Sequence, residues 1–266
     1  GTFDYSQQEP RLVTEYALRF GLASVNKIAD AYDSDPKADF HQVVADMAKI
    51  PRSQAKVINL GLFYGMGKAK LEAELGVSSV KAKNLFDSYH AKVPFVKQLT
   101  NELMRAAQSQ GRIKTILNRK CRFPKYEPIL KGNDWGRFVP AQDHERMLEL
   151  QAMGPHMKDE EGEFLLDKDG NKQKNYWHEN GHRRAFTYKA LNKLIQGSAA
   201  DMTKKAMLEL YKEGITPHIQ IHDELDISVI SDLEAAKIKD IMEHAVELKI
   251  PNKVDYESGP NWGSIK

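Results

Sequence analysis

The chain has 266 residues, 41% hydrophobic and 29% charged, with a formal net charge of +2. That length carries one large or two small domains with a real core, and the composition is that of an ordinary globular protein. The apolar runs are too short for a bilayer span, and the first residues lack a signal peptide's apolar stretch. A single cysteine, Cys121, excludes an internal disulfide framework and fits a reducing compartment such as the cytoplasm.

Charge is unevenly placed. Residues 112 to 125, "RIKTILNRKCRFPK", hold Arg112, Lys114, Arg119, Lys120, Arg122 and Lys125 and no acid. Residues 155 to 170 reverse the balance with Asp159, Glu160, Glu161, Glu163, Asp167 and Asp169. A basic run is most often a solvated face, so phosphate binding there needs support from elsewhere.

In chain order, Thr2 to Tyr5 reads as a short strand running straight into a helix. Ser6 and Glu9 have capping-box spacing, Pro10 falls in the first turn, and Leu12, Tyr16, Ala17 and Phe20 form an apolar stripe. Asp4 thus sits near the C-terminal end of a strand beside a helix N-terminus, where a carboxylate is either a dipole partner or part of a site. Pro51 opens a second helix reaching about residue 64, with Gly65 and Gly67 ending it. Residues 68 to 110 read as helical with a turn near Gly76. Residues 126 to 182 are polar and weakly periodic, with a hairpin turning at Asp169-Gly170. A long helix follows from Tyr188 to Lys212, and another from 232 to 248. Strands at both ends around a helical block predict a sheet-based lobe interrupted by a helical one.

Between those last helices lies "IQIHDELDISV", residues 219 to 229. Ile219, Ile221, Leu225, Ile227 and Val229 alternate, so the stretch reads as two strands with Asp223 and Glu224 at a tight bend. Two carboxylates at a strand tip are costly unless a cation or hydrogen bonds share the site. The plainer alternative is a solvated acidic turn. His178, Glu179 and His182 match H-E-x-x-H, but Asn180-Gly181 is a turn dipeptide and breaks the helix that motif requires. "DKDGN" at 167 to 171 lacks the distant glutamate of a calcium loop.

The helix "RSQAKVINLGLFYG" carries more. Arg52, Lys56, Leu60 and Tyr64 repeat every fourth residue along one stripe. Cations in the first turns oppose the helix dipole, an arrangement that makes sense when phosphates neutralise them.

"DYSQQEPR" (4–11), "RSQAKVINLGLFYG" (52–65) and "HDE" (222–224) resemble, in order, the three polymerase motifs of family A DNA polymerases. "DFH" (39–41), "TILNRKCRFP" (115–124, with Asn118 where glycine is usual), "NKLIQGSAAD" (192–201) and "GPNW" (259–262) are similar to secondary family segments. The resemblance implies an α+β fold: a palm with a small antiparallel sheet and an inserted helical fingers lobe, the thumb lying outside this chain. Palm would be residues 1–25 and 188–266, and fingers 26–187 with an insertion at 126–182. The implied reaction is template-directed nucleotidyl transfer from a dNTP to a primer 3′-hydroxyl, with two Mg²⁺ ions, or Mn²⁺, held by Asp4, Asp223 and the Tyr5 carbonyl. Glu224 would tune that site and His222 would face the primer end of the DNA. Tyr5, Gln7, His41, Arg52 and Lys56 would bind the nucleotide, Lys56 also counting with Asp4, Asp223 and Glu224 among the catalytic residues, with Leu60 toward the sugar. Glu9 would exclude a ribose 2′-hydroxyl, and Tyr64 would stack at the templating position. Arg119, Asn192 and Gln196 would reach the primer-template duplex. An upstream or separate polypeptide would supply the thumb and, as in many relatives, a proofreading exonuclease; no membrane partner is implied.

Two departures stand out: Pro10 and Leu60 replace the family's aliphatic and aromatic residues. A single-subunit RNA polymerase, which Glu9 argues against, and a non-catalytic DNA-binding scaffold remain the competing readings.

Overall fold

The computed structural model describes residues 1–63, 68–178 and 180–265. Among the described residues there are eight short strands and ten α-helices, beginning with β1 (Thr2–Tyr5), α1 (Gln8–Arg19), α2 (Asn26–Ser34), α3 (Phe40–Ala48), α4 (Arg52–Phe63), α5 (Lys68–Leu75), α6 (Ser79–Lys92) and α7 (Pro94–Gln110). Then come β2 (Arg112–Lys114), β3 (Lys120–Arg122), β4 (Tyr126–Pro128), α8 (His144–Ala152), β5 (His182–Arg184) and α9 (Ala190–Lys212). The chain closes with β6 (Ile219–Ile221), β7 (Glu224–Asp226), α10 (Asp232–His244) and β8 (Val254–Glu257). These elements fall into two compact units, the first made of Gly1–Leu103, Lys114–Cys121 and Leu191–Lys266, the second of Met104–Ile113 and Arg122–Ala190.

The first unit is built on a four-stranded antiparallel sheet of order β6-β7-β1-β8. Alternation decides its two faces. Phe3, Tyr5, Leu225 and Val254 are fully or almost fully buried, and the Tyr5 hydroxyl donates to the Met242 carbonyl on α10. The other face presents Asp4, Glu224, Asp226, Asp255 and Glu257, which the register Asp4↔Glu224, Thr2↔Asp226 and Asp4↔Asp255 places side by side. The acidic turn of the sequence is therefore a true hairpin tip, with His222 in the left-handed region at φ 54.

Some local expectations are corrected. The cap of α1 is Gln7, in the left-handed conformation at φ 53, with no side-chain capping bond, so Ser6 and Glu9 form no capping box. The Gln7 side chain instead clasps the start of α3, donating to the Ala38 carbonyl and accepting from the Phe40 amide. Phe20 lies past the end of α1 and is 45% exposed, while Leu12, Val13, Tyr16 and Ala17 form the buried stripe. Pro10 is accommodated within the first turn as read. Gly76 takes φ +60 between α5 and α6, the left-handed turn its position suggested.

The second unit pairs β4 with β5 antiparallel and closes a small core of Met147, Leu150 and Trp177, backed by Tyr126, Val139, Met153 and Met157. Asn175 is the polar pin of that core. Its amide donates to the Leu150 and Gly154 carbonyls, and its carbonyl accepts from the Trp177 amide. The weakly periodic residues 126–182 thus hold a packed centre of their own. Beyond it the hairpin turns at Asp167–Gly170, as its Asp-Gly step indicated. His178 lies in a turn and His182 in β5, so these two histidines share no helix; Glu179 lies outside the described residues.

Candidate active site

The sheet of the first unit brings the distant acidic residues together. Asp4, exposed at the end of β1, is the direct register partner of Glu224 at the start of β7. Asp223 immediately precedes Glu224 and its carbonyl accepts from the Tyr5 amide at 3.5 Å. His222 is exposed on the same turn. Burial pushes the Asp223 carboxyl above the ordinary carboxylate range, an effect that its own backbone amide and His222 only partly offset. A carboxylate in that condition has much to gain from a cation.

Among the described residues, no three His, Cys, Asp or Glu side chains converge as a ready metal cage. Asp4 on β1 and Asp223 on the adjoining turn would offer only a sparse, hard-oxygen set. That set suits magnesium, which prefers one or two carboxylates and takes its remaining ligands from water and substrate phosphates.

Arg11 stiffens this region from beneath. Its side chain is fully buried, and its guanidinium donates to the carbonyls of Ser6, Pro36 and Pro251 while stacking 4.3 Å from the Tyr32 ring centroid. Desolvation lowers its pKa, countered by Tyr32, Asp255 and Glu243. One cation thus ties the segment after β1 to two loops far away in sequence. Glu9, half-buried in the first turn of α1, follows directly on this clamped segment.

A second group forms on α3 and α4. Asp39 caps α3 by accepting from the His41 and Gln42 amides, and its other oxygen receives the Arg52 guanidinium at 2.7 Å from Nε. Burial would raise the Asp39 carboxyl; Arg52 and the two amides outweigh it and hold it below its ordinary range. Arg52 and Lys56 are exposed, Leu60 is half-buried, and Ala55, Ile58 and Asn59 face inward, so the four-residue repeat is the outer stripe of α4. Tyr64 lies outside the described residues. Gln7, reaching from the end of β1 to the start of α3, joins the two groups.

The third group converges on α9. Asn192 is half-buried and Gln196 exposed, one turn apart. Arg119 donates to Asp201 at 2.8 Å and to the Gly197 carbonyl at 2.7 Å, which aims its planar head along α9. Gly197 permits this approach, because a Cβ there would lie 2.9 Å from Thr115 Cγ2. Ser198 accepts from the Ile116 amide at 3.1 Å and shares a 2.7 Å hydrogen bond with the Tyr16 hydroxyl, linking that loop to α1. Asn118 takes φ 64, which explains why glycine or asparagine suits that position.

A family model described as "DNA polymerase family A" matches residues 2–264. The chain belongs to the family A DNA polymerases. A DNA-directed DNA polymerase of Pseudomonas phage M6 is 33% identical over 98% of the chain, and DNA polymerase I of Geobacillus stearothermophilus 28% identical over 99%. These matches span 37% and 26% of those two relatives, so the chain corresponds to well under half of their length. The POL domain of Pol1 from M. smegmatis, solved in complex with DNA primer-template and dNTP, shares the fold with a TM-score of 0.67 at 23% identity, covering 99% of this chain and 40% of that one. The mixed fold read from the sequence is thus that of a family A polymerase domain, and family A polymerases use divalent metal ions.

Three residues went unassigned in the sequence reading. Arg11 sits inside the first motif, Asn59 inside the second, and Tyr89 in a segment read only as helix. A polar residue on the inward face of α4 was the available signal for Asn59.

Proposed function

We propose that this chain carries the catalytic palm and nucleotide-binding helix of a template-directed DNA polymerase, which transfers nucleotides from dNTPs to a primer 3′-hydroxyl. The observation that carries the reading is the register partnership of Asp4 with Glu224, which sets Asp223 beside the end of β1. Asp4, Asp223 and the Tyr5 carbonyl would hold two Mg²⁺ ions. When bound, such ions lower the pKa of the attacking hydroxyl and stabilise charge in an in-line phosphoryl transfer.

The protein's own groups do the rest. The exposed cations Arg52 and Lys56, with His41, would bind the nucleotide's phosphates, and Gln7 would keep that group in register with the carboxylates. Half-buried Leu60 would meet the sugar and Glu9 would close the space for a 2′-hydroxyl. Arg119, Asn192 and Gln196 would line the primer-template duplex, with His222 toward the primer end. Palm would comprise residues 1–25 and 188–266, fingers 26–187. The thumb, and any exonuclease, would come from polypeptide outside these residues.

A primer-extension assay with Mg²⁺, in the presence of the thumb-bearing polypeptide, tests the reading. Template-dependent incorporation of dNTPs over NTPs is expected. DNA binding without any incorporation would identify a scaffold instead.

A further inference from the structure

His41 is buried at 8% exposure, and its ring is wired to two residues that the proposed chemistry does not use. Its Nδ1 lies 3.0 Å from Asn59 Nδ2, on the inward face of α4. The other side of that amide, Asn59 Oδ1, accepts the hydroxyl proton of Tyr89 from α6. Asn59 is fully buried and Tyr89 is 1% exposed.

The polarity of this chain follows from donor counting. Tyr89 keeps its one hydroxyl proton because burial pushes its pKa up, and among the described residues the acceptor that this proton meets is Asn59 Oδ1. Asn59 must then turn its carbonyl to Tyr89 and its amide N–H to His41. Nδ1 of His41 becomes an acceptor, and the ring's proton is left on Nε2. Among the described residues Nε2 has no hydrogen-bond partner, and it is not sealed from solvent.

Resting on the proposed role of α3 and α4 in holding a nucleotide, we infer that Asn59 and Tyr89 are positioning residues that fix neutral His41 as the Nε2–H tautomer. His41 is thereby a hydrogen-bond donor to an anionic phosphate oxygen, not a lone pair that would repel it. The charged and titratable groups acting on the ring are Asp39 from the cap of α3 and Arg52 and Lys56 from α4, with Tyr89 one hydrogen bond away. Burial is the largest influence and keeps the ring below its ordinary pKa; Arg52 and Lys56 act with it and Asp39 against it. A neutral donor of fixed tautomer binds phosphate without depending on pH.

Two measurements on the chain test this. Nitrogen-15 NMR of histidine-labelled protein, with His41 assigned through His41→Gln, should report protonated Nε2 and bare Nδ1; an Nδ1–H ring overturns the inference. Tyr89→Phe should let the amide turn and yield a mixture of tautomers, and an unchanged spectrum would remove Tyr89 from the device. Asn59→Asp keeps the shape and still accepts from Tyr89, but forces a proton onto Nδ1. In acid the ring is then protonated on both nitrogens, with a single positive charge, and still donates from Nε2; in base it presents a bare Nε2. The dNTP KM of this variant should rise about fivefold from pH ~6.5 to ~8.5, with the wild-type KM flat, as suits the loss of one hydrogen bond. A KM offset independent of pH would show Asn59 to be only a packing residue. If instead His41→Gln leaves the dNTP KM unchanged while the spectrum is as expected, the phosphate-binding reading of α3 and α4 fails and the tautomer assignment stands.

Discussion

Asp4 and Glu224 are direct cross-strand partners, and the residue between Glu224 and the hairpin tip is the partly buried Asp223. This places like charges at one end of a sheet whose opposite face is the apolar core. Because burial raises the Asp223 carboxyl, the metal-free folded state pays for its charge at neutral pH. A group with a raised folded-state pKa contributes its stability below the unfolded value, about 3.9 for aspartate, and loses it as pH rises through the folded value. Asp223→Asn should therefore melt higher than the wild type in metal-free buffer at neutral pH, with the difference closing in acid. Added Mg²⁺ should raise the wild-type melting temperature more than that of the variant. Equal responses of the two proteins to Mg²⁺ would argue against Asp223 as a ligand.

The same pair makes different demands in catalysis. Asp4→Ala and Asp223→Ala should each abolish primer extension with little change in circular dichroism, since each removes a proposed metal ligand. Glu224→Ala should cost less, because Glu224 is proposed to tune the site through its neighbours and not to hold a metal. Near wild-type extension by either aspartate variant, with any divalent metal, would refute the assignment.

Arg11 makes a prediction about stability. Its guanidinium satisfies the carbonyls of Ser6, Pro36 and Pro251 at a site with no access to solvent. Arg11→Met fills much of the space but strands those acceptors, at roughly 1–3 kcal/mol for each left unpaired. Urea denaturation should show a loss of about 3 kcal/mol or more. Lysine, a point donor without the planar fork, should recover only part of it.

These particulars show which parts of the molecule the sequence could reveal. The strand-end positions of Asp4 and Asp223 were legible because alternation is a local property, while their shared role was implied by the resemblance alone. The α4 stripe was legible for the same reason, its outward residues repeating every fourth position. Arg11 was not, because its three acceptors lie 5, 25 and 240 residues away. Asn59 was hidden similarly, since its importance depends on partners 18 and 30 residues distant. The false capping box at Ser6 shows the converse: correct spacing was overridden by the left-handed turn at Gln7, whose side chain is drawn to α3. Residues 126–182 gave little because their core rests on a few scattered apolar anchors, Met147, Leu150 and Trp177, with no periodic face.

Gly197 offers a purely steric test. A methyl group there would meet Thr115 Cγ2 at 2.9 Å and the Arg119 guanidinium at 3.2 Å. Gly197→Ala should push the loop of residues 115–119 off α9, loosen the Arg119–Asp201 pair, and destabilise the fold by about 1–3 kcal/mol. Helix propensity alone would favour alanine by roughly 1 kcal/mol, so the two effects have opposite sign. A thermal melt decides between them, and a stabilised variant would mean that the loop yields freely.

Leu60 turns on one side chain. It is half-buried on α4, one turn beyond Lys56 on the stripe proposed to face the incoming nucleotide. Leucine there offers only apolar contact, so a dideoxynucleotide, lacking the sugar's 3′-hydroxyl, finds nothing to replace the missing polar group. A tyrosine hydroxyl can supply it, and a net hydrogen bond is worth roughly 0.5–1.5 kcal/mol, more where water is excluded. The wild type should therefore discriminate strongly against dideoxynucleotides, and Leu60→Tyr should relax that by about tenfold, the factor that ~1.4 kcal/mol represents. Were Leu60 only a packing residue, the larger ring would overpack α4 and slow both substrates alike. Single-nucleotide extension with dideoxy and ordinary nucleotides in competition separates the cases: slower incorporation at an unchanged ratio would remove Leu60 from the sugar side of the site.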